Sequence, residues 1–323
     1  MTPGGPSRAT ASAEAPPRPK VAVVGAGAVG GYFGGLLARS GVETVLIGRE
    51  SFVTAVNRQG LTLDTLTFTE TVRVTATTEL AAVRSAGIVL FCVKTTDTAA
   101  TARALAPHLN SAALVVSLQN GAENAGVIGE ITGRPAIPAI VYLAAAVPTP
   151  GTVKHTGRGD LIVGPDEPRV RGLAQLLKSA GIGCVVSRRI DDEIWEKLIC
   201  NCALNAISAL WQKTYGEIGR DATLWTMASA VVREALAVAQ ASGVNPTNMA
   251  SEDEATTTVR RLTAQIAAAY SSTAQDLRRN RRTEIDALNG FIVRRGLDRG
   301  LPTPVNHALW TLVRTAEGPR ESP

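Results

Sequence analysis

The apolar run VAVV (21–24) passes directly into G-x-G-x-x-G, with glycines at 25, 27 and 30, and then into the glycine-dense, helix-forming stretch AVGGYFGGLLARSG. Strand, glycine turn and helix in that order leave little choice of architecture. The first glycine permits a tight turn, the second leaves room for a pyrophosphate beside the backbone, and the third lets helix and strand pack closely. Free N–H groups and a partial positive charge at the helix start then face the phosphates. Gly25, Ala26, Gly27, Ala28, Val29 and Gly30 therefore read as the backbone of a dinucleotide site. The next β-rich run, ETVLIGR, ends at Arg49, 24 residues beyond Gly25. An acid there would hold the ribose 2′-hydroxyl of NAD, whereas an arginine suits the 2′-phosphate of NADP. GRES also offers Ser51 and backbone donors, so NADP is the expected cofactor.

Further β-rich runs follow at TVRVTAT, AGIVLFCVK, SAALVVSLQNG and AIPAIVYLAAA, spaced by helix-length segments. Several are apolar on both faces, which predicts a parallel sheet covered by helices on both sides. GTVKHTGRGDLIVG and GCVVSRRI flank a helical RVRGLAQLLKSAG and extend the strand count. From Asp191 the period becomes helical almost to the end, with turns at YGEIG, SGVNPTN and RGLPTPVN. The expected fold is α/β, an N-terminal doubly wound Rossmann domain over 20–189 followed by an all-helical domain over 190–318. Residues 1–19, rich in Pro, Ala and Ser without an apolar core, read as a disordered lead rather than a secretory signal. The cleft between the two domains is the expected substrate position.

Composition narrows the function classes. In 323 residues, 45% hydrophobic, the longest apolar runs, such as AIVYLAAAV (139–147), fall short of the roughly 20 residues that cross a bilayer, so no membrane span is expected. Cys92, Cys184, Cys200 and Cys202 have no C-x-x-C spacing and His108, His155 and His307 are scattered, so no metal site is expected and a reducing, cytoplasmic setting fits. A net charge of +5 favours acidic partners, but its densest run, RRNRR (278–282), carries no interleaved aromatics, and no nucleic-acid partner is expected. Oligomeric state is not legible in the residues, and a homodimer stays open.

Chemistry-bearing residues concentrate in a few segments. Lys197, Asn201 and Asn205 in WEKLICNCALNA stand at i, i+4 and i+8, one face of a helix. Hydrophobic packing explains a lysine with two amides on one face poorly. Lys94 and Asn120 end the strands IVLFCVK and VVSLQN, where doubly wound folds bind ligands. Ser272 and Gln275 in SSTAQ have capping-box spacing.

Taken together, GAGAVGGYFGGLLARSG, VKTTDT, SLQNG, WEKLICNCALNAISAL, SSTAQDLRRNRRTEIDALNG and GLPTPVNHAL resemble the ketopantoate reductase family over about 20–317. The resemblance implies NADPH-dependent reduction of 2-dehydropantoate to pantoate in pantothenate and coenzyme A biosynthesis, with a small 2-oxo acid as substrate. It implies Lys197 as general acid, Asn201 and Asn205 as substrate binders, and Glu284, Ser272 and, more weakly, Asp276 at the same site. It also implies Lys94 on the cofactor and Asn120 between nicotinamide and substrate; Glu123, in NGAEN, is a candidate for the adenosine ribose. The residues themselves leave open reduction of another small 2-oxo acid, a hydroxy acid or opine dehydrogenase, and an NADP-sensing module without chemistry.

Overall fold

The structure, a computed structural model, describes residues 19–318, so all of the expected N-terminal lead except its last residue lies outside it. The first half alternates strands and helices: β1 (Val21–Val24), α1 (Ala28–Arg39), β2 (Thr44–Ile47), α2 (Glu50–Gln59), β3 (Leu61–Asp64), β4 (Thr69–Val72), β5 (Thr75–Thr77), β6 (Ile88–Phe91), α3 (Thr98–Leu105), β7 (Leu114–Ser117), α4 (Asn124–Thr132), β8 (Ala136–Ala146), β9 (Thr152–Val163), α5 (Pro168–Ser179) and β10 (Gly183–Val186). Its sheet runs β4-β3-β9-β8-β7-β6-β1-β2-β5, with β10 also on β9. Strand β1 is central, parallel to β2 on one side and β6 on the other. The chain reverses direction across the sheet there, which opens a crevice at the strand C-termini.

Alternation along β1 explains why both faces are covered. Val21 and Val23 belong to a core with Phe33 and Leu37 of α1, while Ala22 and Val24 belong to a second core with Val83, Ala102 and Leu105. Successive strand residues point to opposite faces, so an uninterrupted apolar strand needs helices on both. The glycines of α1 set how closely that helix lies on the sheet. A Cβ on Gly34 would stand 2.6 Å from Leu46 Cδ2, and one on Gly35 would stand 2.7 Å from Leu61 Cδ2.

The sheet departs from the all-parallel expectation at one side. Strands β8 and β9 pair antiparallel, as do β3 and β4. The link from β8 to β9 spans only residues 147–151, too short for the crossover that a parallel pair requires. The run TVRVTAT is also two strands rather than one, β4 and β5, at opposite edges of the sheet, and the LTLD of β3 is a strand that the sequence reading passed over.

After β10 the chain is helical: α6 (Ile190–Trp211), α7 (Tyr215–Arg220), α8 (Ala222–Ala241), α9 (Glu252–Gln265), α10 (Ser272–Arg278), α11 (Asn289–Asp298) and α12 (Pro304–Ala316). Helix α6 is the axis, packed against α8, α10 and α12. Its apolar residues, among them Leu198, Ile199, Cys202 and Ile207, form a third core with Val231, Val232 and Leu236 of α8. Helix α8 is the one helix among the described residues with the length and hydropathy of a membrane span, and its buried face is part of this core. At α10 the cap differs from the expected Ser272 box: Ser271 is the N-cap and accepts from the N–H of Ala274, which puts Ser272 at the first helical position. The Ser271 hydroxyl also donates to the Asn205 carbonyl, so a tertiary bond to α6 fixes the cap one residue early.

Candidate active site

The glycine turn behaves as three different positions. Gly25 has φ +96°, and a Cβ there would meet the Val93 nitrogen at 2.6 Å; a Cβ on Gly30 would collide with the Gly25 carbonyl oxygen. Gly27 is the opposite case, with open space where its Cβ would be. The first and third glycines are thus demanded by packing, while the second keeps a clear approach to the start of α1, whose N-cap has no side-chain partner. That is the shape a pyrophosphate needs. Arg49 is the N-cap residue of α2, exposed, and no polar partner holds its side chain among the described residues.

Beyond the strand ends the sheet and the helical half meet through a small hydrogen-bonded cluster. Lys197, on the second turn of α6, donates from Nζ to Asn120 Oδ1 at 3.1 Å and to the Val141 carbonyl at 2.6 Å. Asn120 uses the other end of its amide: Nδ2 donates to Glu284 Oε2 at 3.2 Å. Glu284 Oε1 accepts from the backbone N–H of Thr95 at 3.0 Å. Thr95 in turn donates from Oγ1 to the Asn120 carbonyl at 3.1 Å, closing the cluster. Lys94 reaches across to Asp276 at 3.1 Å and to the Arg282 carbonyl at 2.8 Å.

Burial drives the electrostatics. Desolvation lowers the Lys197 pKa to about 8, against the opposing pull of the Glu284 charge. Burial likewise raises Asp276, with the Lys94 ammonium working the other way. Cys200, next to this face, is pushed up to about 12 by desolvation, so its thiol stays protonated and unreactive at neutral pH.

The remaining candidates divide. Asn201 lies one turn beyond Lys197, half-buried, with no hydrogen-bond partner for its side chain among the described residues. Asn205 continues into the helical interior, 3% exposed, where its Oδ1 accepts from the Tyr215 hydroxyl at 2.9 Å. Ser272 is exposed at the start of α10. Glu123 is ion-paired with Arg294 of α11 at 2.9 Å, a second tie between the halves. Thr95 and the pair Tyr142 and Arg158 enter the site without having been singled out beforehand. Tyr142 carries the Lys197 ammonium 5.2 Å from its ring centroid, and the Arg158 guanidinium carbon lies 3.8 Å from the same centroid. The one sequence signal for Arg158 is GRG inside a strand pattern, which marks a bulge.

Comparison with known proteins assigns both halves of the chain to one family. The sequence model described as ketopantoate reductase PanE/ApbA matches residues 21–168, and its C-terminal counterpart matches residues 189–317. A 2-dehydropantoate 2-reductase of Pyrococcus abyssi is 35% identical over 304 residues, covering 92% of this chain and 98% of the relative. The crystal structure of a PanE/ApbA family ketopantoate reductase from Ralstonia eutropha JMP134 superposes with a TM-score of 0.87 at 44% identity, covering 92% of this chain and 98% of the other. A D-mandelate dehydrogenase bound to NADH and anilino(oxo)acetate superposes with a TM-score of 0.84 at 25% identity, covering 92% and 98%. Matched along both halves and similar in fold throughout, the chain belongs to the ketopantoate reductase family.

Proposed function

We propose that this protein reduces 2-dehydropantoate to pantoate with NADPH, the step that supplies pantoate for pantothenate and coenzyme A. The observation that carries the reading is the Lys197–Asn120–Glu284 cluster, tied through Thr95 to the chain two residues beyond Val93, against whose nitrogen Gly25 lies. The clear approach at Gly27 and the uncommitted Arg49 fit a dinucleotide with a 2′-phosphate. Bound there, the reduced nicotinamide supplies hydride.

The chain's own residues supply the rest. An ammonium has three N–H donors, and Lys197 spends two on Asn120 and Val141, leaving one for the carbonyl oxygen of a 2-oxo acid. As that oxygen gains negative charge, the ammonium stabilises it and hands over the proton. A pKa lowered to about 8 makes the transfer easier than from an ordinary lysine while keeping the group mostly charged at neutral pH. Glu284 holds the Asn120 amide in the orientation that presents its oxygen to Lys197. The free amide of Asn201 and the exposed Ser272 hydroxyl are the substrate's polar contacts, and Lys94 with Asp276 forms the cofactor-side wall. Asn205 acts on substrate only indirectly, holding α6 through Tyr215, and Glu123 joins the domains through Arg294.

The likeness to an NADH-bound D-mandelate dehydrogenase favours a second reading, a reductase of a bulkier 2-oxo acid. One experiment separates the two: steady-state NADPH and NADH oxidation with 2-dehydropantoate, 2-oxoisovalerate, pyruvate and phenylglyoxylate. The primary reading requires the highest kcat/KM for NADPH with 2-dehydropantoate; a preference for phenylglyoxylate overturns it.

A further inference from the structure

Strand β9 passes the site with one residue too many. Tyr142 pairs with Asp160 and Leu143 with Arg158, which leaves Gly159 outside the β8–β9 ladder. Arg158 itself has φ +48°, a left-handed conformation unfavourable for a residue with a long side chain. Bulges of this kind redirect side chains and cluster beside active sites. Here the redirected guanidinium lies over the Tyr142 ring, whose centroid is also 5.2 Å from the Lys197 ammonium, and its charge acts on that ammonium. The backbone is braced in this shape by a hydrogen bond between the His155 ring and the Arg158 carbonyl, and by the His155 ring lying against Tyr32.

Asp160 occupies only part of the guanidinium. It accepts from Nε at 3.0 Å and from one Nη2 hydrogen at 2.6 Å. Nη1 and the second Nη2 hydrogen have no partner among the described residues, which leaves one forked edge of the kind that binds a carboxylate with two parallel bonds. The side chain is 57% exposed, so the core does not require an arginine here. Of the other cations of the cleft, Lys94 is committed to Asp276 and the Arg282 carbonyl, and Lys197 to Asn120 and the Val141 carbonyl.

A 2-oxo acid carries its carboxylate one bond from the carbon whose oxygen Lys197 would serve. We propose that Arg158 is a specificity residue for this reaction: its free edge pairs with the carboxylate of the 2-oxo acid, and Asp160 is the positioning residue that holds it over Tyr142. This inference rests on the 2-oxo acid reading above.

The test compares an acid with its uncharged ester, using the best acid of the substrate panel and its ethyl ester at saturating NADPH. Loss of a charge-assisted contact corresponds to about 10- to 100-fold in affinity. Arg158→Gln is therefore expected to lower kcat/KM for the acid by about that factor, through KM, while leaving the ester unchanged and the NADPH dissociation constant within about twofold. Arg158→Lys, a charge without the fork, should fall between, and Asp160→Asn should show a smaller loss with the acid only. An acid-to-ester ratio in Arg158→Gln within about threefold of wild type overturns the inference, as does an effect confined to NADPH binding. If Arg158→Gln does not fold, Arg158→Lys decides by the same ratio. Failure of the wild-type protein to reduce any acid overturns the functional reading instead, and is told apart because no variant enters that measurement.

Discussion

Asn120 and Lys197 are joined at 3.1 Å across the boundary between the sheet and the helical half, and the same Asn120 amide holds Glu284 through its opposite end. One neutral side chain thus orients a cation and an anion that have no hydrogen bond to each other among the described residues. An amide suits the place because its donor and acceptor ends are fixed 120° apart and carry no charge that would shift either neighbour.

Removing that amide should therefore cost more than one hydrogen bond. Asn120→Ala is expected to lower kcat by about 10- to 100-fold, because Lys197 and Glu284 lose their orientation together, a loss on the scale of general acid–base catalysis. Steady-state kinetics at saturating NADPH and substrate checks this; kcat within threefold of wild type would remove Asn120 from the mechanism.

The pH profile follows from Lys197. On the proposed role, reduction needs the ammonium, and its pKa is lowered to about 8, so kcat/KM at saturating NADPH should be level below that pH and fall tenfold per unit above it. The stability term has the opposite sense. A lysine whose folded pKa lies below its unfolded value disfavours folding while protonated, so the penalty is full below about pH 8 and is relieved as pH rises from there toward 10.5. Lys197→Ala should lose about 10² or more in kcat, and Lys197→Arg should lose nearly as much because guanidinium is a poor proton donor. A normal kcat in Lys197→Ala would rule out the assigned acid.

The glycine positions make separable predictions. Gly27→Ala places its methyl group in open space, so thermal stability should change by less than about 0.5 kcal/mol while NADPH affinity drops by tenfold or more. Gly34→Ala drives its methyl into Leu46 and Val23 and should cost about 1–3 kcal/mol of stability, with NADPH affinity preserved in the folded fraction. Denaturant melts beside cofactor titrations distinguish the two.

The proposed preference for NADPH can be tested at Arg49. If its free guanidinium binds a 2′-phosphate, Arg49→Ala should weaken NADPH by about 1.5–3 kcal/mol and leave NADH nearly unchanged. Fluorescence titration with both cofactors measures this, and equal weakening would remove Arg49 from phosphate recognition.

Local spacing carried most of what the sequence revealed. Gly25, Gly27 and Gly30 lie within one turn, and the turn chemistry alone assigns each its task. The shared face of α6 was legible for Lys197 and Asn201, which lie one turn apart beside the cleft, but a helical row says nothing about where the helix becomes covered, and Asn205 lies in the interior against Tyr215. Arg158 and Tyr142 were out of reach because they meet through the register of an irregular antiparallel pair. Thr95 enters through a backbone N–H and through a hydroxyl bonded to the Asn120 carbonyl, contacts between distant segments that local spacing does not mark. The reversal from parallel to antiparallel at β8 and β9 could be read only from the length of the loop between them.

Among the described residues, the hydrogen-bond partners of the Lys197 ammonium, Asn120 and Val141, belong to the sheet half, and the bonds to the Glu284 carboxylate come from Thr95 and Asn120 on that same half. Their polar ends are therefore held from across the boundary, although their backbones belong to the helical half. Parting the two halves by a few ångströms would disarm the machinery as a unit, and bringing them back would rearm it as a unit. Because the four bonds cross one boundary, their loss or recovery would be a single event.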